Sequence, residues 1–171
     1  LQLLPEKELD NMRKRNSPLE ILLWSIALPG FGQVLNGKLI KGILFIFLEI
    51  LINVNAKLNL NILYSFQGNI DKAIEVTDYQ WAMFYPCLYL FAIFDSYYEA
   101  LKQSDRSIPS LLSIPFVSAV YLSTIGVMFS DTIPYIIPIP PTFIPLLAMV
   151  IGVWIGNFIR LWIIHKRNVQ S

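Results

Sequence analysis

Residues 18–54 read PLEILLWSIALPGFGQVLNGKLIKGILFIFLEILINV. Two apolar runs, Pro18 to about Leu35 and about Leu39 to Val54, flank a connection carrying Lys38 and Lys41. About 20 apolar residues are needed to cross a hydrocarbon core of about 30 Å. The second run is continuous. The first breaks at Ala27-Leu28-Pro29-Gly30-Phe31-Gly32. Proline there removes a backbone donor and clashes with the preceding turn, and glycine lets the chain reverse. Each arm, about eight residues long, reaches about 12 Å at 1.5 Å per residue, too short to cross. Both flanks of this run are basic, and basic flanks stay on the cytoplasmic side. The pattern therefore predicts a broken, re-entrant helical hairpin, with a kinked spanning helix as the alternative. Irregular backbone at membrane depth must be shielded, so other helices are expected to pack around Pro29 and Gly30.

Outward from this stretch, three more apolar runs follow: about Tyr79–Leu101, Ile108–Phe129 and Thr142–Ile164. Of the thirteen Lys and Arg residues, eleven fall in the N-terminal arm, beside Lys38 and Lys41, beside Lys102 and Arg106, or at the C-terminus with Arg160, Lys166 and Arg167. Runs two to five thus alternate in orientation, with the C-terminus cytoplasmic. The 171 residues are 55% hydrophobic and only 15% charged, with a mean hydropathy of +0.55. A soluble domain carries about 25% charge. High hydrophobicity excludes intrinsic disorder, and the single Cys87 excludes a disulfide scaffold. A net charge of +1 gives no support for nucleic-acid binding. The chain opens on Leu1 rather than methionine, and no leader peptide is read in LQLLPEKELDNMRKRN.

These observations predict an all-α integral membrane protein of about four transmembrane helices plus the N-terminal hairpin. Residues 1–17 form a cytoplasmic amphipathic arm, 18–54 the hairpin-like domain and 55–78 an outer interfacial loop. Residues 79–164 form a three-helix region and 165–171 a cytoplasmic tail. Within the three-helix region, residues 133–145, IPYIIPIPPTFIP, hold five prolines and predict an extended outer loop. Pro86 is expected to kink the third run, and Cys87 to be a small buried hydrophobe. No internal repeat is seen.

Polar groups inside a bilayer are costly and mark function. Glu49 lies inside the second run with Asn53 one turn on, a pair that could bind a cation, relay a proton or simply hydrogen-bond a neighbouring helix. Asp95 and Glu99 share one face near the cytoplasmic end of the third run, and Arg160 lies near that end of the fifth. An Asp95–Arg160 ion pair or a lipid-headgroup site is expected there. Gly152 and Gly156 form a small-xxx-small face, packed within the chain rather than between copies, with Asn157 placed to hydrogen-bond across it. Catalytic constellations are not found: His165 stands alone, and no phosphate loop, HExxH or GxSxG occurs. No metal site and no cofactor are expected.

The run PGFGQVLNGKLIKG, residues 29–42, resembles the bacterial two-transmembrane hairpin domain family of the TM-two type. Pro29, Gly30, Gly32, Gly37, Lys41 and Gly42 carry the resemblance, which covers about residues 18–54. It implies a membrane-embedded hairpin and no particular activity. The Ile, Asn and Lys usage is that of a low-GC Gram-positive bacterium. The leading expectation is a non-enzymatic accessory or scaffold subunit of the cytoplasmic membrane. Membrane lipids surround it, and a partner membrane protein or a second copy binds through helices or the Pro-rich loop. A small transporter or channel component using Glu49 and the break at Pro29-Gly30 is the second expectation. Anionic-lipid binding at the basic cluster of Arg13, Lys14, Arg15, Lys38 and Lys41 is the third.

Overall fold

A computed structural model describes residues 17–104 and 106–170. The amphipathic arm, with Arg13, Lys14 and Arg15, lies outside the described residues apart from Ser17. The fold is all-helical, 78% helix, with no strand among the described residues. In chain order the helices are α1 (Pro18–Ala27), α2 (Phe31–Leu35), α3 (Leu39–Ala56), α4 (Leu58–Phe66) and α5 (Ile70–Val76). They continue with α6 (Tyr79–Ala82), α7 (Tyr85–Gln103), α8 (Ser113–Met128) and α9 (Phe143–Gln170), and a 3-10 turn spans Ile133–Tyr135. The chain divides into two compact units. The first comprises the described part of Leu1–Phe47 with Phe91–Pro109, and the second comprises Leu48–Leu90 with Ser110–Ser171.

In the first unit, α1 begins at a reciprocal cap. Ser17 Oγ accepts from Glu20 N at 3.2 Å, Glu20 Oε2 accepts from Ser17 N at 3.0 Å, and Pro18 follows where its missing donor costs nothing. The helix stops at Leu28, whose backbone is extended ahead of Pro29. Gly30 then takes φ +94°, a left-handed turn that a side chain resists, and α2 runs only five residues. The first apolar run is thus two short helices around a buried Pro29-Gly30 corner. At ten residues α1 is about 15 Å long, half the depth of a hydrocarbon core. The corner rests on α3: a Cβ on Gly30 would stand 2.5 Å from the Gly42 carbonyl oxygen and 2.7 Å from Ile46 Cγ1.

The second unit corrects several expectations. Residues 55–78 are not a surface loop but two helices, α4 and α5, folded on each other. The Asn61 amide donates to the Ala73 carbonyl at 3.1 Å and to Thr77 Oγ1 at 2.7 Å, and its oxygen accepts from Thr142. Pro86 is not a mid-helix kink. The third run breaks at Met83-Phe84, and Pro86 sits in the first turn of α7, where a proline fits. Cys87 is exposed rather than buried. The Pro-rich stretch is not uniformly extended, since it holds the 3-10 turn, and Pro141 is buried. The tail drawn from residue 165 onward continues α9 to Gln170.

Gly152 and Gly156 of α9 face α8, where a Cβ on Gly152 would stand 2.5 Å from Ala119 Cα and one on Gly156 2.6 Å from Pro115 Cα. Asn157 is exposed instead of bridging that contact. Gly152→Leu is expected to abolish folded protein, because the obstructing atoms are backbone and cannot swing aside. Gly37→Ala, at a position open around its Cβ, is the comparison variant and should lose far less. The yield of monodisperse protein in detergent checks this.

Two helices, Leu39–Ala56 and Phe143–Val169, are long and apolar enough to cross a membrane. Helix α7 has the length, but Asp95, Glu99 and Lys102 interrupt its hydropathy, and α8 has 16 residues. Large apolar side chains lie open as well as in the core: Trp154 is 75% and Phe158 73% exposed on α9 and Ile40 is 88% exposed on α3, while the polar Gln33, Ser25, Ser96 and Ser123 are among the most buried side chains.

Candidate functional site

In the first unit the 29–42 stretch docks onto one polar stripe of α7. Gln33, 1% exposed, donates from Nε2 to the Ala92 carbonyl at 2.8 Å and to Asp95 Oδ2 at 3.0 Å. The other oxygen of Asp95 accepts from Lys41 Nζ at 2.5 Å. One turn on, Lys38 Nζ lies 3.7 Å from Glu99 Oε1, which also accepts from Gln103 Nε2 at 3.2 Å. Asn36 Nδ2 donates to the Ser96 carbonyl at 2.8 Å, and its own carbonyl accepts from Gln103 at 3.2 Å. Beneath this ladder the Ser25 hydroxyl donates to the Ile21 carbonyl at 2.7 Å and meets the Ser96 hydroxyl at 2.6 Å. Gly32 lies against both serines, so closely that no side chain fits between them.

Asp95 therefore has Lys41 and Gln33 as partners, where the sequence reading expected Arg160. Arg160 Nε donates instead to the Ser110 carbonyl at 2.7 Å. Lys38 and Lys41 follow a short turn that lays them along the same stripe, whereas Arg160 meets the Ser110 carbonyl ahead of α8. Of the motif residues, Pro29, Gly30, Gly32 and Gly42 shape the corner, Lys41 supplies the cation, and Gly37 takes φ +77° in the turn before α3. Gln33, Asn36, Ser96 and Gln103 are members of this ladder that sequence reasoning missed. Their signal was the spacing of Ala92, Asp95, Ser96, Glu99 and Gln103 at three- and four-residue intervals, which puts them on one helix face.

The second unit holds a half-open cavity of about 170 Å³. Its wall is largely apolar, with Leu58, Ile62, Ala82, Val127, Leu146 and Met149, and it includes Asn53, Asn61, Tyr79 and Tyr85. Most of its polar groups are spent inside the protein. Ser123 donates to the Pro145 carbonyl at 3.0 Å, Thr77 to Ala73 at 2.7 Å, Ser130 to Val127 at 2.8 Å, and Thr142 to Asn61. The Tyr79 hydroxyl is shut from solvent beside Ser130 and Thr77. Asn53 of α3 is the wall's remaining amide. Glu49 stands one turn from Asn53 and is not among the wall residues. One of its oxygens is buried without a partner, and its carboxylate neighbours the Tyr85 hydroxyl.

Among the described residues no group of three or more His, Cys, Asp and Glu side chains could hold a metal ion. Compared with protein-family models, with curated proteins and with solved structures, the chain matches none.

Proposed function

We propose that this chain is a non-enzymatic, multi-pass protein of the bacterial cytoplasmic membrane that serves as an accessory or scaffold subunit for a partner membrane protein. Four helices span in this reading (α3, α7, α8 and α9). The α1–α2 pair is a re-entrant hairpin of the two-transmembrane type, and the C-terminus is cytoplasmic. The observation that carries the proposal is α9: of the most apolar window of its stretch Phe143–Val169 only 11% is buried. A helix so bare finds its complement in lipid or in another helix. The charges that the sequence nominates are largely absorbed within the fold, with Lys41 on Asp95 and Lys38 on Glu99. That argues for a structural role and against an open anionic-lipid cluster at these lysines.

Purification from native membranes in mild detergent tests it. A second membrane protein is expected to co-purify in fixed stoichiometry and to be lost on Trp154→Ser/Phe158→Ser, with the helix content unchanged. Recovery of the chain alone, or as a detergent-free monomer, overturns the proposal. A transport role is the second reading, favoured by the unpartnered buried oxygen of Glu49. Loss of ion flux in Glu49→Gln, with partner recovery intact, would select it.

A further inference from the structure

We propose that the second unit's cavity is a binding site for an uncharged amphiphile: an apolar body about the size of a benzene ring or a short chain segment, bearing one neutral hydrogen-bonding head. The argument goes beyond the scaffold reading and does not need it.

Size comes first. A cavity of about 150 Å³ is sufficient for benzene, and this one measures about 170 Å³ and is open on one side, so a longer tail can leave through the mouth. Chemistry comes next. Binding pockets are mostly apolar, with a few polar groups that fix orientation. Here Leu58, Ile62, Val127, Leu146 and Met149 supply the apolar wall. The polar groups at Ser123, Thr77, Ser130, Thr142 and Asn61 are consumed by the protein itself. The Tyr79 hydroxyl is closed off beside Ser130 and Thr77. That leaves Asn53 in the wall, whose amide both gives and accepts. A hydroxyl, ester or amide head satisfies it.

Charge decides the rest. The wall holds no Lys, Arg, Asp or Glu. A charged head would therefore enter an apolar site without a counter-ion, which is costly. Uncharged amphiphiles of this kind come from two sources, free phenol-like molecules and neutral membrane lipids with one chain, and the experiment separates them.

The full chain, delipidated in detergent, is titrated with p-cresol, with a monoacylglycerol and with dodecanoate. Saturable one-to-one binding is expected for p-cresol or for the monoacylglycerol, or for both, and not for dodecanoate. The neutral probe that binds names the source. Methyl spectra of the unaltered protein are expected to show the Met149 signal moving with saturation, which locates the ligand without any substitution. Asn53→Leu is expected to weaken binding about five- to tenfold, as loss of one hydrogen bond does. Leu146→Trp, half exposed at the wall, is expected to block it. Absence of binding by both neutral probes overturns the proposal, as does binding that leaves Met149 unmoved. Equal binding of dodecanoate overturns the neutral head.

Discussion

Gly32→Ala is expected to remove about 2–4 kcal/mol of stability, enough to unfold much of a protein whose total is about 5–15 kcal/mol. The added methyl would sit on the Ser25 hydroxyl and only 2.9 Å from Ser96 Cβ. Overpacking of this kind costs about 1–3 kcal/mol. Here it also pushes apart two buried hydroxyls that meet at 2.6 Å, a further loss of about 1 kcal/mol. Neither serine can rotate away cheaply. Ser25 lies within hydrogen-bond reach of the Ile21 carbonyl and Ser96 within reach of the Ile93 carbonyl, one of their two protons serves the contact between them, and both are fully buried. Thermal unfolding in detergent measures the effect. Ser25→Ala made together with Gly32→Ala should recover part of the loss, because it deletes the obstructing oxygen. A Gly32→Ala protein as stable as the parent would mean that α1, α2 and α7 do not approach as described.

That approach was only half visible in the sequence. The broken first run was legible, because proline and glycine act on the backbone locally and need no partner to be interpreted. The helical identity of the apolar runs was legible for the same reason, since period and length are properties of the segment itself. The polar ladder was not. Gln33 reads as one polar residue in an apolar run until α7 is laid beside it, and its value comes from Ala92 and Asp95, about sixty positions away. Asp95 and Arg160 were matched by depth, a one-dimensional argument that cannot see azimuth. Lys41 lies on the azimuth that reaches Asp95, and Arg160 has the Ser110 carbonyl to satisfy. The 55–78 stretch misled through composition. Its acidic and amide residues look like a solvated loop, yet Asn61 is buried and ties α4 to α5 through its amide nitrogen and to Thr142, ahead of α9, through its oxygen. The cavity left no local trace, because Asn53, Tyr79 and Met149 come from three separate helices.

Asp95→Leu and Lys41→Met should each destabilise, and the two together should cost less than Asp95→Leu alone. In the pair, Lys41 keeps 47% of its side chain exposed and Asp95 only 20%, so the two single losses differ. Lys41→Met strands a carboxylate that still accepts from Gln33, a loss of about 1 kcal/mol for a partly solvated pair. Asp95→Leu is worse. It deprives the ammonium of its counter-ion and also leaves the buried Gln33 amide, whose oxygen already lacks a donor, with one acceptor fewer. A loss of about 2–3 kcal/mol is expected, since unsatisfied buried groups cost more than the bonds they lose. The double variant removes both charges and should lie above Asp95→Leu, because an apolar pair in place of an ion pair is often close to neutral. Exchange of the charges, Lys41→Glu with Asp95→Lys, should not recover stability: the new ammonium at position 95 would face the Gln33 amide nitrogen, and turning that amide over would break its bond to the Ala92 carbonyl. A double-mutant cycle by thermal unfolding reads the coupling. Strict additivity would mean that the pair is a surface contact of no consequence, and the 29–42 stretch would then be held to α7 by Asn36, Gln33 and the close glycines alone.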